Sequence, residues 1–521
     1  METYLFLSLV FAIVGKSETS RILAILPTPS ISHQIVFRPL IQELVKRGHE
    51  VVVITPDPAF PPGEAPPNLT EINVHNESYH HWRNDFIPAE VGKENDIIKQ
   101  FKVFMKTFLK IFESQLQNGL VKEIIENKSS NDFDLLLYET CIRPALAFSH
   151  IYKAPVISIS SCGPAFETYA IMGVPNHPLL YPVLPHQRLY NLIYWEKIKE
   201  LYRRIYTEYQ YNEFKREEIK TLKKYFGPDL PSYDELNDNI HMYFQNVHSY
   251  FMDNIPVPPS VVYMGGLHQK EAKSLPRDLQ VYVNNSKNGV IYVSFGTNVK
   301  KSLLQQEKIQ MMFNTFSKLP YDILWKMDTN ELPGIANNIK VSTWLPQADL
   351  LRHPKIRSFV TQAGLQSTDE AINAGVPLIG IPFFIDQWYN AEKYVKHKIG
   401  LNLNWETLTE KDLSEAIITV TEDPSYRENI LQYQAIIIDQ RQIPLERATW
   451  WIEYVLRHGG ARHLRAPAAN ISWSENYELN LVFVVIFTFI IILMSLLYFI
   501  KIWFKKTVNK LITRISKIKM S

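Results

Sequence analysis

The sequence predicts an α/β protein made of two doubly wound domains that face each other, followed by one membrane-spanning helix. Three observations carry that prediction. Short apolar strands alternate with helical segments twice along the chain, from Arg21 to Ser160 and again from Gly289 to Phe383, as parallel sheets with crossover helices require. A proline-stiffened stretch, Ile255-Pro-Val-Pro-Pro-Ser260, separates the two series. Near the other end, Leu481 to Ile500 runs for 20 residues without a charge, enough to cross a bilayer as a helix.

The elements follow in order. Arg21 to Pro27 is a short apolar strand, Ile35 to Arg47 has helical spacing with Gly48 as its stop, and Glu50 to Thr55 is a second strand. Together they make a βαβ unit. A polar, proline-rich stretch from Pro56 to Pro67 precedes an amphipathic helix from about Asp96 to Asn127, then strands at Phe133 to Tyr138 and Pro155 to Ser160. From Gln187 to Lys224 the spacing is helical and unusually aromatic, which suits either packing or the wall of an apolar ligand cleft. The second series has strands at Gly289 to Ser294, Asp322 to Met327, Ile339 to Val341, Ser358 to Thr361 and Val376 to Phe383, and Pro444 to Arg457 reads as a late amphipathic helix. The 521 residues thus divide into a signal peptide (1–17), a first domain (18–255), a linker (256–260), a second domain (261–478), a span (479–500) and a basic tail (501–521).

Charge is nearly balanced, 55 Lys plus Arg against 53 Asp plus Glu, so nothing draws nucleic acid in bulk and the expected partner is small. The apolar run Tyr4 to Val14, followed by Gly15 and Ser17, has the form of a secretory signal. Lys501, Lys505, Lys506, Lys510, Arg514, Lys517 and Lys519 follow the span, which by the positive-inside rule puts the tail in the cytosol and the body in the lumen. Sequons at Asn68, Asn76, Asn127, Asn284 and Asn470 all precede the span. The last residues, Lys517 to Ser521, resemble the dibasic retrieval signal of endoplasmic-reticulum type I proteins. Only Cys141 and Cys162 are present, so disulfides do not hold the fold and no cysteine metal site is expected.

The most informative stretch is Phe359 to Gln387, FVTQAGLQSTDEAINAGVPLIGIPFFIDQ. It reads as strand, tight turn at Gly364, helix opening at Ser367-Thr368-Asp369-Glu370, a stop at Asn373-Ala374-Gly375, then strand and acidic loop. Free N–H groups and the positive dipole end of that helix suit a nucleotide diphosphate.

This stretch resembles the signature of the UDP-glycosyltransferases, membrane-bound lumenal enzymes of the GT-B fold. Pro27 to Leu40, Val293 to Thr297, Trp344-Leu-Pro-Gln347 and Trp451 to Leu464 are similar to that family too, so the resemblance covers nearly the whole chain. TQAGLQSTDEA and ISHQIVFRPL are most similar to the insect and baculovirus branch, whose donor is usually UDP-glucose. The resemblance implies that the first domain binds a lipophilic hydroxyl-bearing acceptor, such as a phenol, flavonoid, steroid or xenobiotic, and the second a UDP-sugar. It implies His33 as the base that deprotonates the acceptor and Glu139, where relatives have Asp, as the carboxylate that orients it. Trp344 is expected to stack on uracil, Gln347 to bond its edge and Glu370 to hold the ribose. Ser294, Thr297 and Ser367 would bind the diphosphate beside Gly364, and Asp386 and Gln387 the hexose hydroxyls. Gln362-Ala363-Gly364 stands where many relatives have His-Gly-Gly, and Ile385 where many have Gly.

The expected reaction is inverting transfer from UDP-glucose. UDP-glucuronate as donor, or a membrane-tethered homologue that binds without turnover, are the alternatives, and homo-oligomerisation is left open. Asp132-Phe133-Asp134 matches a metal-binding D-x-D pattern, but it opens a strand in the half without the diphosphate turn, so no metal is expected.

Overall fold

A computed structural model describes residues 19–86, 97–127, 132–164, 167–175, 177–182, 188–329 and 333–519. The expected signal peptide lies outside them. Two parallel sheets form the body. The strands of the first are β1 (Arg21–Ile25), β2 (Glu50–Thr55), β3 (Leu69–Asn73), β4 (Leu135–Glu139), β5 (Val156–Ser160), β6 (Ile240–Gln245) and β7 (Val261–Tyr263), in the order β3-β2-β1-β4-β5-β6-β7. Those of the second are β8 (Val290–Ser294), β9 (Asp322–Lys326), β10 (Ile339–Ser342), β11 (Ile356–Thr361), β12 (Leu378–Gly380) and β13 (Gly400–Asn402), in the order β10-β9-β8-β11-β12-β13. Every paired strand is parallel, with registers such as Ile25 opposite Tyr138 and Thr361 opposite Ser294. The inner strands, such as Leu135–Glu139 and Val290–Ser294, are buried along their whole length because both faces of a parallel sheet are covered.

Each sheet reverses strand order once, between β1 and β4 and between β8 and β11. The helix α1 (Ile31–Lys46) leaves the first switch point after β1, and α4 (Leu365–Ala374) leaves the second after β11; the first half also carries α2 (Ile97–Gln115) and α3 (Tyr194–Phe226), and the second α5 (Asp386–Lys396). Crevices at such points, outside the carboxyl ends of the strands, are where doubly wound folds bind ligands.

Several sequence expectations need correction. The boundary is not at 256–260. Val261–Tyr263 pairs with β6 as the last strand of the first sheet, because the prolines only turn the chain along the sheet edge before Val261 resumes pairing. The second domain does not keep the chain to residue 478 either. The helix α6 (Pro444–Arg457) returns to the first half, burying Ala448, Ile452 and Val455 in the core shared with α1, while Arg47 Nη1 donates to Glu453 Oε1 at 3.1 Å. The helix expected over 96–127 is two helices, since Asn118 caps a new one at Gly119–Glu126 by accepting from Leu120 N. The buried strand expected over 376–383 pairs only at Leu378–Gly380.

The C-terminal unit, residues 470–521, carries α7 (Leu479–Ile518), a single helix of 40 residues. It is long and apolar enough to cross a membrane, and it runs without interruption into the segment expected as a separate basic tail.

Candidate active site

The first wall of the site is built by β1, β4 and β5. The turn after β1 opens α1, which carries His33 on its first turn. Glu139 ends β4 in the adjacent register and is fully buried. Its Oε1 lies 2.6 Å from His33 Nδ1, and its Oε2 accepts from the Thr28 backbone N–H at 3.3 Å. Ser161, just past β5, places its Oγ 2.8 Å from the same Nδ1. With Glu139 accepting, the proton belongs on Nδ1, which leaves the Nε2 lone pair free to take another. Burial pulls the His33 pKa down, but the charge of Glu139 and its hydrogen bond outweigh that, and the net shift is upward from 6.5.

The opposite wall is built from β8, β9 and β11. Gly296, at φ 71°, turns the chain after β8, and a Cβ there would collide with the Gln362 amide. The same amide lies 3.3 Å from where a Cβ of Gly364 would sit. Gln362 is therefore pinned between two glycines that bring the backbone close to the cleft, and its Oε1 is buried with no hydrogen-bond partner. A phosphate-sized group carried to the start of α4 would meet free N–H donors there.

Trp344 is 66 % exposed with the Lys326 ammonium 4.7 Å from its ring centroid. A base stacked on it would bury a large aromatic face. Gln347 and Glu370 meet each other: Gln347 Nε2 donates to Glu370 Oε2 at 2.8 Å and to Ser367 Oγ at 2.9 Å, while the Tyr292 hydroxyl donates to Gln347 Oε1 at 3.0 Å. Gln347 thus orients Glu370 as found here. Burial raises the Glu370 carboxyl, with the Gln347 bond partly opposing it.

His33 and Asp386 come from different halves and line one cavity of about 420 Å³. Thr297, Trp344, Gln347, Gln362, Gly364, Ser367, Glu370 and Gln387 line it too, and Trp82, Phe104 and Phe108 make an apolar side. The walls touch directly, since Gln366 Nε2 donates to Ser161 O at 3.0 Å and Asn298 Nδ2 to Ser30 Oγ at 3.4 Å. Asp386 accepts from Asn390 Nδ2 at 2.9 Å, and burial raises its carboxyl despite that bond.

Two expected roles change in detail. Ser294 is buried and its Oγ accepts from Gly296 N at 3.3 Å, so it shapes the turn instead of facing the cavity. Gln387 Oε1 accepts from the N–H groups of Phe383 and Phe384 at 2.9 and 3.2 Å, leaving only its NH₂ for a ligand. The aromatic helix expected as a candidate cleft wall does not serve as one, because Tyr194, Trp195, Tyr202 and Tyr209 are exposed to solvent. Ser161 and Lys326 were missed from sequence. Both stand at the carboxyl ends of strands, which is the signal that marks them.

The two residues that stand in for glycine are both left-handed, Ala363 at φ 65° and Ile385 at φ 55°. For a β-branched side chain this is a strained conformation, worth about 1–3 kcal/mol. Ile385→Gly is therefore expected to stabilise the protein by about 1 kcal/mol after the added backbone entropy is counted. An unchanged or lower melting temperature of the detergent-solubilised chain would contradict this.

Comparison with known proteins agrees with the geometry. The family described as UDP-glucoronosyl and UDP-glucosyl transferase matches residues 21–514. The ecdysteroid UDP-glucosyltransferase of Spodoptera littoralis nuclear polyhedrosis virus is 32% identical over 494 residues, covering 91% of this chain and 96% of that protein. UDP-glucosyltransferase 2 of Dactylopius coccus is 30% identical, with 93% of each chain covered. UDP-glucuronosyltransferase 2B14 of Oryctolagus cuniculus is also 30% identical, covering 85% of this chain and 86% of its own. Among solved structures, the glycotransferase of kitacinnamycin superposes with a TM-score of 0.57 at 19% identity, over 84% of this chain and 99% of that one. The fold is therefore GT-B.

Proposed function

The chain belongs to the UDP-glucoronosyl and UDP-glucosyl transferase family and is a UDP-glycosyltransferase; we propose that it transfers glucose from UDP-glucose to a hydroxyl of a small lipophilic acceptor, inverting the anomeric carbon. The observation that carries this reading is the single cavity lined by His33 on one wall and by Trp344, Glu370 and Asp386 on the other. The acceptor sits against Trp82, Phe104 and Phe108, with its hydroxyl toward His33 Nε2. Uracil stacks on Trp344, Glu370 takes the ribose, and Asp386 with the Gln387 NH₂ takes the hexose hydroxyls. Thr297, Ser367, the α4 N-terminus and Lys326 offset the charge that grows on departing UDP.

Ecdysteroid glucosyltransferases among the relatives support a steroid-like acceptor. The distribution of charge supports glucose over glucuronate. The cations lining the cavity are Lys270, Lys273, Lys326 and Arg352. The Lys326 ammonium sits over Trp344, and the Arg352 guanidinium donates to Asp349 Oδ1 and to the Lys270 carbonyl. The hexose end instead carries the Asp386 carboxylate, a poor neighbour for a sugar acid. We propose further that the reaction needs no metal. His33, Glu139 and Cys141 do offer ligand atoms within 4.8 Å of one another, but the His33–Glu139 hydrogen bond already uses two of them. Residence in the endoplasmic-reticulum membrane with a lumenal body completes the reading.

The test is a donor panel. UDP release with a phenol, flavonoid and steroid set is expected to show kcat/KM at least about ten-fold higher for UDP-glucose than for UDP-glucuronate, unchanged by EDTA. Equal use of the two donors would overturn the donor assignment, and loss of activity in EDTA the metal-free one.

A further inference from the structure

Two cysteines are too few to suggest a metal site from sequence, but the fold places other ligands beside them. The parallel strands β4 and β5 pair as far as Glu139 opposite Ile159 and end side by side. Cys141 follows Glu139 by two residues and Cys162 follows Ser160 by two, so both thiols stand at the carboxyl edge that also carries His33. Neither is in a disulfide, both line the cavity, and the two thiols are hydrogen-bonded to each other. Ligand atoms of His33, Glu139 and Cys141 lie within 4.8 Å of one another. Cys162 is held next to them by the Ser160 hydroxyl, 3.5 Å from its Sγ. Imidazole, carboxylate and two sulfurs form a donor set suited to tetrahedral zinc, and the cavity gives a dissolved ion a way in.

We propose that this cluster is an inhibitory site for a thiophilic divalent cation, Zn²⁺ or Cd²⁺, held by Cys141 Sγ, Cys162 Sγ, Glu139 Oε1 and His33 Nδ1. The inference rests on His33 as the base and turns on which ring nitrogen the ion takes. In the active state Nδ1 directs its proton to Glu139 and Nε2 keeps a free lone pair. A cation on Nδ1 uses the lone pair there, so the neutral ring carries its proton on Nε2 and can no longer take one from the acceptor hydroxyl. The thiol protons leave to solvent as the metal–sulfur bonds form. The His33–Glu139 bond opens to admit the ion, at a cost that two metal–thiolate bonds offset. Turnover and metal binding therefore exclude each other, which agrees with a reaction that needs no metal. Sulfur selects the ion: Mg²⁺ and Ca²⁺ take oxygen ligands, of which the cluster offers one carboxylate, and are not expected to bind.

The test uses the full-length chain, detergent-solubilised and stripped of metal, titrated with Co²⁺ as a spectroscopic stand-in for Zn²⁺. A thiolate-to-cobalt charge-transfer band and the intense visible bands of a tetrahedral site are expected, both lost when Zn²⁺ is added. C141S/C162S, with unchanged circular dichroism, should show neither. This readout does not depend on turnover, so it stands whatever donor or acceptor the enzyme uses. In the transfer assay Zn²⁺ should inhibit reversibly, with EDTA restoring the rate and Mg²⁺ without effect. Against its own metal-free rate, C141S/C162S should need at least about a hundred-fold more Zn²⁺ for half-inhibition. A third measurement needs no variant: Zn²⁺ should protect Cys141 and Cys162 from iodoacetamide, read by peptide mass. Absence of the thiolate band, equal inhibition of both proteins, or unprotected thiols in saturating Zn²⁺ would each overturn the proposal.

Discussion

His33→Ala is expected to reduce glycosyl transfer by at least about a thousand-fold, roughly 4 kcal/mol of transition-state stabilisation, while UDP still binds with nearly unchanged affinity. The reason is the division of labour across the cleft. His33 stands on the first wall with its Nε2 free, whereas Trp344, Gln347, Ser367 and Glu370 stand on the other. Removing the imidazole leaves the acceptor hydroxyl without a proton acceptor and does not touch the nucleotide wall. Calorimetric titration with UDP and a turnover assay on the same preparation separate the two effects. Loss of both together would mean that His33 supports the fold, and near-normal turnover would mean that another group is the base.

Replacing Glu139 should cost almost as much, and it should also move the pH profile. Glu139→Gln removes the charge that holds the imidazole in one tautomer and stabilises it once protonated, a loss of about a thousand-fold in kcat. The extra methylene relative to the usual Asp is absorbed by the site, since Oε1 reaches Nδ1 at 2.6 Å while Oε2 is held by Thr28 N. The pH behaviour follows from the sign of the shift. Transfer needs neutral Nε2, so kcat/KM rises as pH climbs through the His33 pKa, which lies above 6.5 in the intact protein. Without Glu139 the burial penalty dominates, and the acidic limb should move to lower pH even as the plateau falls. Stability moves in the opposite sense: the raised folded pKa favours the native state at acid pH, and that contribution fades as pH rises through it. An acidic limb that stays in place in Glu139→Gln would show that another group sets it.

Much of this was legible in the chain because strand and helix periods differ and Gly364 punctuates them. Of the expected site residues, all but Ser294 and Glu139 line the cavity, and Glu139 lies directly behind His33. What escaped has physical causes. β7 is only three residues long and follows three prolines, so local pattern gives it no weight beside its pairing with Tyr243 to Gln245. The return of α6 to the first core is a long-range contact that no local window reports. On α3 the exposed and buried aromatic faces share one helical period, so spacing could not tell packing from surface. The hydrogen bonds that commit Gln347 to Glu370, and Gln387 to Phe383 and Phe384, depend on rotamers, which sequence does not record.

The central claim is that one displacement occurs between His33 and the departing UDP, on opposite faces of the sugar. Proton NMR of the glucoside formed from UDP-α-glucose tests it most directly. The β-anomer is the predicted product, and an α-linked glucoside would contradict an acceptor activated from the His33 wall.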